Sequence, residues 1–168
     1  MVIKKINLFF VTFLGAGYIK TAPGTFASLI ISIIFFYLFR LYISIEHFPF
    51  LCLAMILVFT YSLYAIKTIE NEFKQKDARQ IVIDEVIGQS IPILFIEYIT
   101  YLQTQSFGAD LYLYVASFIL FRFFDIVKPF PINLIDKKLK NGLGVVMDDL
   151  IAGLFSLLIV WIAIFYIL

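Results

Sequence analysis

Two apolar runs, Phe26 to Ile45 and Phe48 to Ile66, follow one another with only Glu46 and His47 between them. Each approaches the roughly 20 residues that an α-helix needs to cross about 30 Å of hydrocarbon. Backbone inside lipid must satisfy its own hydrogen bonds, so such a pair folds as a helical hairpin through a bilayer. Asp149 to Leu168 is a further run with no charge after Asp149, and Ala109 to Val127 is apolar until Arg122 and Asp125. Val86 to Leu102 is interrupted by Gly88, Gln89, Ser90, Pro92 and Glu97, which predicts a broken or re-entrant helix. The expected fold is all-α: a polytopic helical membrane protein of about five hydrophobic helices, in one domain over residues 1–168.

Composition supports this class. The chain is 62% hydrophobic and 15% charged, against about 25% charge in soluble domains. With 13 Lys and Arg against 12 Asp and Glu there is no field for a polyanion, and nucleic acid is not expected as a partner. A single cysteine, Cys52, and a single histidine, His47, exclude an internal disulfide and argue against Cys- or His-based chemistry. Lys4 and Lys5 precede an apolar stretch from Ile6 to Gly17, as in a signal peptide. Lys20, Thr21 and Pro23 make a poor cleavage site, however, so the segment is expected to be retained.

The basic residues set an orientation. Lys4, Lys5 and Lys20 precede the first span, Lys67, Lys74, Lys76 and Arg79 follow the second, and Lys128, Lys137, Lys138 and Lys140 precede the last. The connections at Glu46 to His47 and Gln103 to Asp110 contain no Lys or Arg. The positive-inside rule then puts the N-terminus inside and the C-terminus outside after five crossings.

In that orientation Asp84, Glu85, Asp125, Asp148 and Asp149, from three distant stretches, share one depth at the cytoplasmic edge. Ionisable groups there are costly unless paired, hydrated or metal-bound. Oxygen ligands without His or Cys suit Mg²⁺ or Mn²⁺, and Mg²⁺ commonly works through carboxylates and substrate phosphate. Each residue also has a plainer role open to it. Asp148 and Asp149 could cap a helix, and Asp125 could pair with Arg122 or Lys128. The five together favour a site over five separate coincidences.

Other landmarks are ambiguous one by one. Thr21 to Thr25 combines a rigid turn with a helix start, which suits a phosphate or simply a helix entry. Lys128-Pro129-Phe130-Pro131 stops a helix and holds a lysine at the interface. Asn141 to Gly144 is expected to be a flexible loop, and Arg40 to snorkel at the outer surface. Glu97 has no evident role.

Three blocks resemble phosphatidylglycerophosphatase A. They are Gly15-Ala16-Gly17 with Ala22-Pro23-Gly24-Thr25; Ile83-Asp84-Glu85-Val86-Ile87-Gly88-Gln89; and Phe121-Arg122-Phe123-Phe124-Asp125 with Lys128-Pro129, leading to Gly144-Val145-Val146-Met147-Asp148-Asp149 and Ala152-Gly153. Their order and spacing cover Leu14 to Gly153. Ala27, where the family commonly has glycine, and Asn141, in a loop usually richer in glycine, are departures beside the charged positions.

The resemblance implies an all-α, Mg²⁺-dependent phosphatase that converts phosphatidylglycerophosphate to phosphatidylglycerol in a bacterial inner membrane; the charge pattern of the connections puts its site toward the cytoplasm. Asp84, Glu85, Asp125, Asp148 and Asp149 would be the catalytic and metal-binding shell, not all of them necessarily in direct contact with the ion. Thr25, or the Pro23-Gly24 backbone beside it, with Arg122 and Lys128 would bind the phosphate of the phospholipid substrate. Two rival readings are a CDP-alcohol phosphatidyltransferase and a small divalent-cation transporter. The first lacks its spaced Asp-Gly and Ala-Arg signature, since Asp77-Ala78-Arg79 stands alone. The second would need acids near the midplane, where only Glu97 could lie.

Overall fold

A computed structural model describes residues 2–69, 78–138 and 142–167. The described residues form helices α1 (Val2–Val11), α2 (Pro23–Leu41), α3 (Phe48–Ile69), α4 (Ile83–Thr104), α5 (Leu111–Val127), α6 (Ile132–Lys138) and α7 (Gly142–Ile167), with a 3-10 turn at Ala16–Tyr18. No strand occurs among them. Lys74, Lys76, Asp77, Lys140 and Asn141, all used in the sequence argument, lie outside the described residues.

Among the described residues, three helices are long and apolar enough to cross a membrane: α2, α3 and, within α7, Val146–Tyr166. Only 17% of the α3 span is buried inside the protein. Its outward side chains, Phe50, Leu53, Ile56 and Leu57 among them, are exposed and apolar. A soluble protein does not expose apolar surface on this scale, whereas hydrocarbon accepts it. Length and composition alone thus identify three of the five expected crossings; α5, at 17 residues, and α4, with its polar groups, fall outside that criterion.

The segment expected to be broken or re-entrant is instead helical without interruption from Ile83 to Thr104. Its interrupting residues all face inward: Gly88, Gln89, Ser90, Pro92 and Glu97 are buried. α4 packs most extensively on α7 and also against α2 and α5, so it is the central helix. Pro92 cannot donate to the Gly88 carbonyl four residues earlier. That carbonyl lies where a Cβ on Gly153 of α7 would stand, so the two backbones meet there.

Glu97 acquires a role at the end of α4 away from Asp84 and Glu85. Its carboxylate accepts from the backbone N–H of Gly108 (2.7 Å) and Ala109 (3.1 Å) and from the Tyr114 hydroxyl (2.6 Å). Arg40 does not simply snorkel: it donates to the Ala109 carbonyl at 2.7 Å and lies over the Phe36 ring. Together they clasp the α4–α5 connection to the end of α2.

At the N-terminus the apolar stretch from Ile6 divides into α1 and a sharp reversal. Phe13, Leu14 and Gly15 all have positive φ there. α1 lies on α3, with buried Asn7 donating to Thr68 and accepting from the Tyr61 hydroxyl at 2.6 Å. The Val82 N–H donates to the Val11 carbonyl at 3.0 Å, which ties this turn to the start of α4.

Candidate metal and phosphate site

Asp84 and Glu85 occupy the first turn of α4 and Asp149 sits on α7; one carboxylate oxygen from each lies within 4.8 Å of the others. Two close approaches make this possible. The Gly88–Gly153 contact draws α7 onto α4 about one turn above the carboxylates. At the start of α2, Gly24 has no side chain to obstruct the Glu85 carboxylate, which occupies the space a Cβ would need.

Asp125 and Asp148 flank this trio, each on a cation, and the Asp125 carboxylate also meets that of Asp149. Arg122 pairs with Asp125 at 2.7 Å across one turn of α5. Lys128, in left-handed conformation at the end of α5, pairs with Asp148. α5 stops there because Pro129 follows and disfavours a helical residue before it. Asp125 still lies close enough to Glu85 and Asp149 to act on both electrostatically, as Asp148 does on Asp84. Of the five expected carboxylates, then, three converge and two connect them to Arg122 and Lys128.

The capping alternative for Asp148 and Asp149 does not hold. α7 begins at Gly142, about two turns before them, where a side chain no longer reaches the free N–H groups. The expected loop at Asn141 to Gly144 is helical from Gly142 onward. Thr25 is half-buried in the first turn of α2, next to Gly24.

Glu85 Oε2 is buried without a hydrogen-bond partner, and so are Arg122 Nε and Gln89 Oε1. Buried polar atoms are rarely left unpaired, so the orphaned carboxylate oxygen is what a bound cation would satisfy. The orphaned guanidinium nitrogen is likewise a spare donor for an oxyanion. Gln89 was given no role by the sequence reading. It lies one turn after Glu85, fully buried, with its amide donating to Ser117 Oγ at 3.3 Å. The i, i+4 spacing of Glu85 and Gln89 was the available signal.

Residues 9–164 match the phosphatidylglycerophosphatase A family. A protein of Bacteroides thetaiotaomicron, provisionally named a phosphatidylinositol-3-phosphatase, is 34% identical over 156 residues, covering 89% of this chain and 87% of its own. Phosphatidylglycerophosphatase A of Haemophilus influenzae is 33% identical over 159 residues, 95% of this chain and 88% of that protein. Its Escherichia coli namesake is 29% identical over 142 residues, 84% of this chain and 74% of that protein. No solved structure matches. The match over residues 9–164 runs through all three motif blocks and every residue of the carboxylate cluster, and the chain belongs to the phosphatidylglycerophosphatase A family.

Proposed function

We propose that this protein is a Mg²⁺-dependent phosphatase that hydrolyses phosphatidylglycerophosphate to phosphatidylglycerol and phosphate. It would work in a bacterial inner membrane with its site toward the cytoplasm. The observation that carries this reading is the convergence of Asp84, Glu85 and Asp149 in a member of this family. Oxygen-only donors suit Mg²⁺ or Mn²⁺, and the orphaned Glu85 Oε2 offers an acceptor for such an ion. Asp84, Glu85 and Asp149 would hold it. When bound, Mg²⁺ supplies Lewis-acid polarisation of the phosphate and eases ionisation of the attacking water.

The chain's own residues position the substrate. Arg122 and Lys128 offset the charge of the phosphate, and their partners Asp125 and Asp148 hold both side chains in place beforehand. Arg122 Nε keeps a donor for a phosphate oxygen. Thr25, in the first turn of α2 beside Gly24 and the Glu85 carboxylate, brings a hydroxyl to the same place. Glu97, the deep acid that a transporter would need, is engaged in closing the α4–α5 hairpin, which speaks against an ion pathway.

Phosphate release by the purified full chain, with and without EDTA, tests the activity. Phosphatidylinositol-3-phosphate belongs in the same assay, because the Bacteroides relative's name raises it as a second substrate. EDTA-sensitive release that favours phosphatidylglycerophosphate supports the proposal; preference for the phosphoinositide, or release in EDTA, contradicts it. For orientation, an impermeant thiol reagent in a Cys52→Ser background should reach Gln105→Cys from outside. It should reach Lys137→Cys only after permeabilisation, and the reverse pattern would overturn the cytoplasmic site.

A further inference from the structure

An apolar groove of about 290 Å³ runs along the outside of the bundle between α2 and α5, lined among others by Leu29, Ser32, Tyr37, Leu111, Val115 and Phe118. We infer that this groove seats one acyl chain of the phospholipid substrate, an inference that rests on the lipid-phosphatase reading. Both of its walls lead to the site. Leu29 lies four residues beyond Thr25 on α2, a rise of about 6 Å, and Phe118 seven residues before Asp125 on α5, about 10 Å. The far ends, Tyr37 and Leu111, lie about 18 Å and about 21 Å from the same two residues. A chain hanging from a phosphate held at Thr25 and Arg122 would enter between these helices. It would run inward over the depth of one leaflet, about half of a 30 Å core.

A second apolar groove, about 300 Å³, lies between α3, α4 and α7 and includes Ile56. Its α4 and α7 walls also run to the site, with Leu150 next to Asp149 and Ile87 two residues from Glu85, but it touches neither α2 nor α5, which carry Thr25 and Arg122, so it is the competing seat in the test. Lipid tails are as apolar as the groove, so seating a chain gains from shape and dispersion rather than from escape from water. The groove should therefore act on chain discrimination more than on turnover.

Val115 is 48% exposed and Leu29 40% exposed, both toward lipid, so a larger side chain at either position fills the groove without disturbing the core. Full-chain Val115→Trp and Leu29→Trp should be compared with the unaltered protein and with Ile56→Trp. The substrates are dioleoyl and dihexanoyl phosphatidylglycerophosphate in the same detergent micelles. The expected result is KM for the dioleoyl lipid raised about tenfold in both α2–α5 variants, with kcat and the dihexanoyl KM unchanged and Ile56→Trp normal. Equal effects on both lipids, an equal effect of Ile56→Trp, or no effect of either variant would overturn the acyl-chain seat while leaving the activity standing. Absence of turnover of both lipids by the unaltered protein would remove the functional reading and this inference together. As a readout independent of turnover, a lipid with a diazirine in one chain should cross-link to α2 and α5. Cross-linking confined to α3 and α7, or a Val115→Cys disulfide between two copies, would give the groove another occupant and refute the inference.

Discussion

Gly88 and Gly153 bring the backbones of α4 and α7 into contact: a Cβ on Gly88 would come 2.6 Å from the Asp149 carbonyl oxygen, and one on Gly153 would collide with the Gly88 carbonyl. Small residues permit such close crossings in membrane helices. Gly88 lies four residues from Asp84 and Gly153 four from Asp149, so this contact sets the separation of the carboxylates. Gly153→Ala should force α7 away from α4, at a cost of about 1–3 kcal/mol. Thermal unfolding in detergent should show a lower midpoint, and phosphate release should fall by more than the loss of folded protein. An unchanged midpoint with unchanged activity would refute the close-crossing argument.

Asp149→Asn keeps the shape of the side chain and removes its charge. Activity should drop at least about a hundredfold, equivalent to roughly 3 kcal/mol of barrier, without loss of fold. Asp148→Asn, which alters the partner of Lys128 rather than the three-carboxylate cluster, should cost only about tenfold. Equal losses in steady-state assays of the two variants would show that the cluster and the outlying pair do not differ in role.

Arg122→Lys separates two roles of one cation. A lysine still balances Asp125 one turn away, but it cannot offer the planar set of donors that includes Nε. Phosphate release should fall about tenfold or more while the melting midpoint stays the same. Full activity in Arg122→Lys would leave Arg122 as a counter-ion for Asp125 and nothing more.

Glu97→Gln tests the clasp on the α4–α5 connection independently of the chemistry. The carboxylate accepts from two backbone N–H groups and a tyrosine hydroxyl. An amide in its place brings donors where acceptors are needed. The loss should be about 1–3 kcal/mol of stability, read as a lower unfolding midpoint, with the activity per folded molecule and its Mg²⁺ dependence preserved. A selective loss of activity would instead connect the α4–α5 hairpin to catalysis.

The long apolar helices were legible in the sequence because lipid imposes a length and a composition, and α2, α3 and α7 meet both. α4 was obscured for the opposite reason: Gly88, Gln89, Pro92 and Glu97 are there to face other helices, and hydropathy treats such residues as interruptions. α1 is too short to register as a span, and its buried Asn7 finds partners 54 and 61 residues away. The convergence of the carboxylates was legible as a shared depth. Their division was not, since charge patterning carries no information on azimuth: Asp84, Glu85 and Asp149 meet while Asp125 and Asp148 turn to Arg122 and Lys128. The start of α7 was hidden because Gly142 and Gly144 have loop character and Asp148 and Asp149 have capping character.

The most direct test of the central claim is a Mn²⁺ titration of the purified full chain followed by electron paramagnetic resonance, with Mn²⁺ standing in for Mg²⁺ and no substrate present. Saturable binding is expected in the unaltered protein, weakened about tenfold or more in Asp84→Asn, Glu85→Gln and Asp149→Asn, and competed by Mg²⁺. Binding that is unchanged in all three variants, in protein that still releases phosphate from phosphatidylglycerophosphate, would contradict a metal site at these carboxylates.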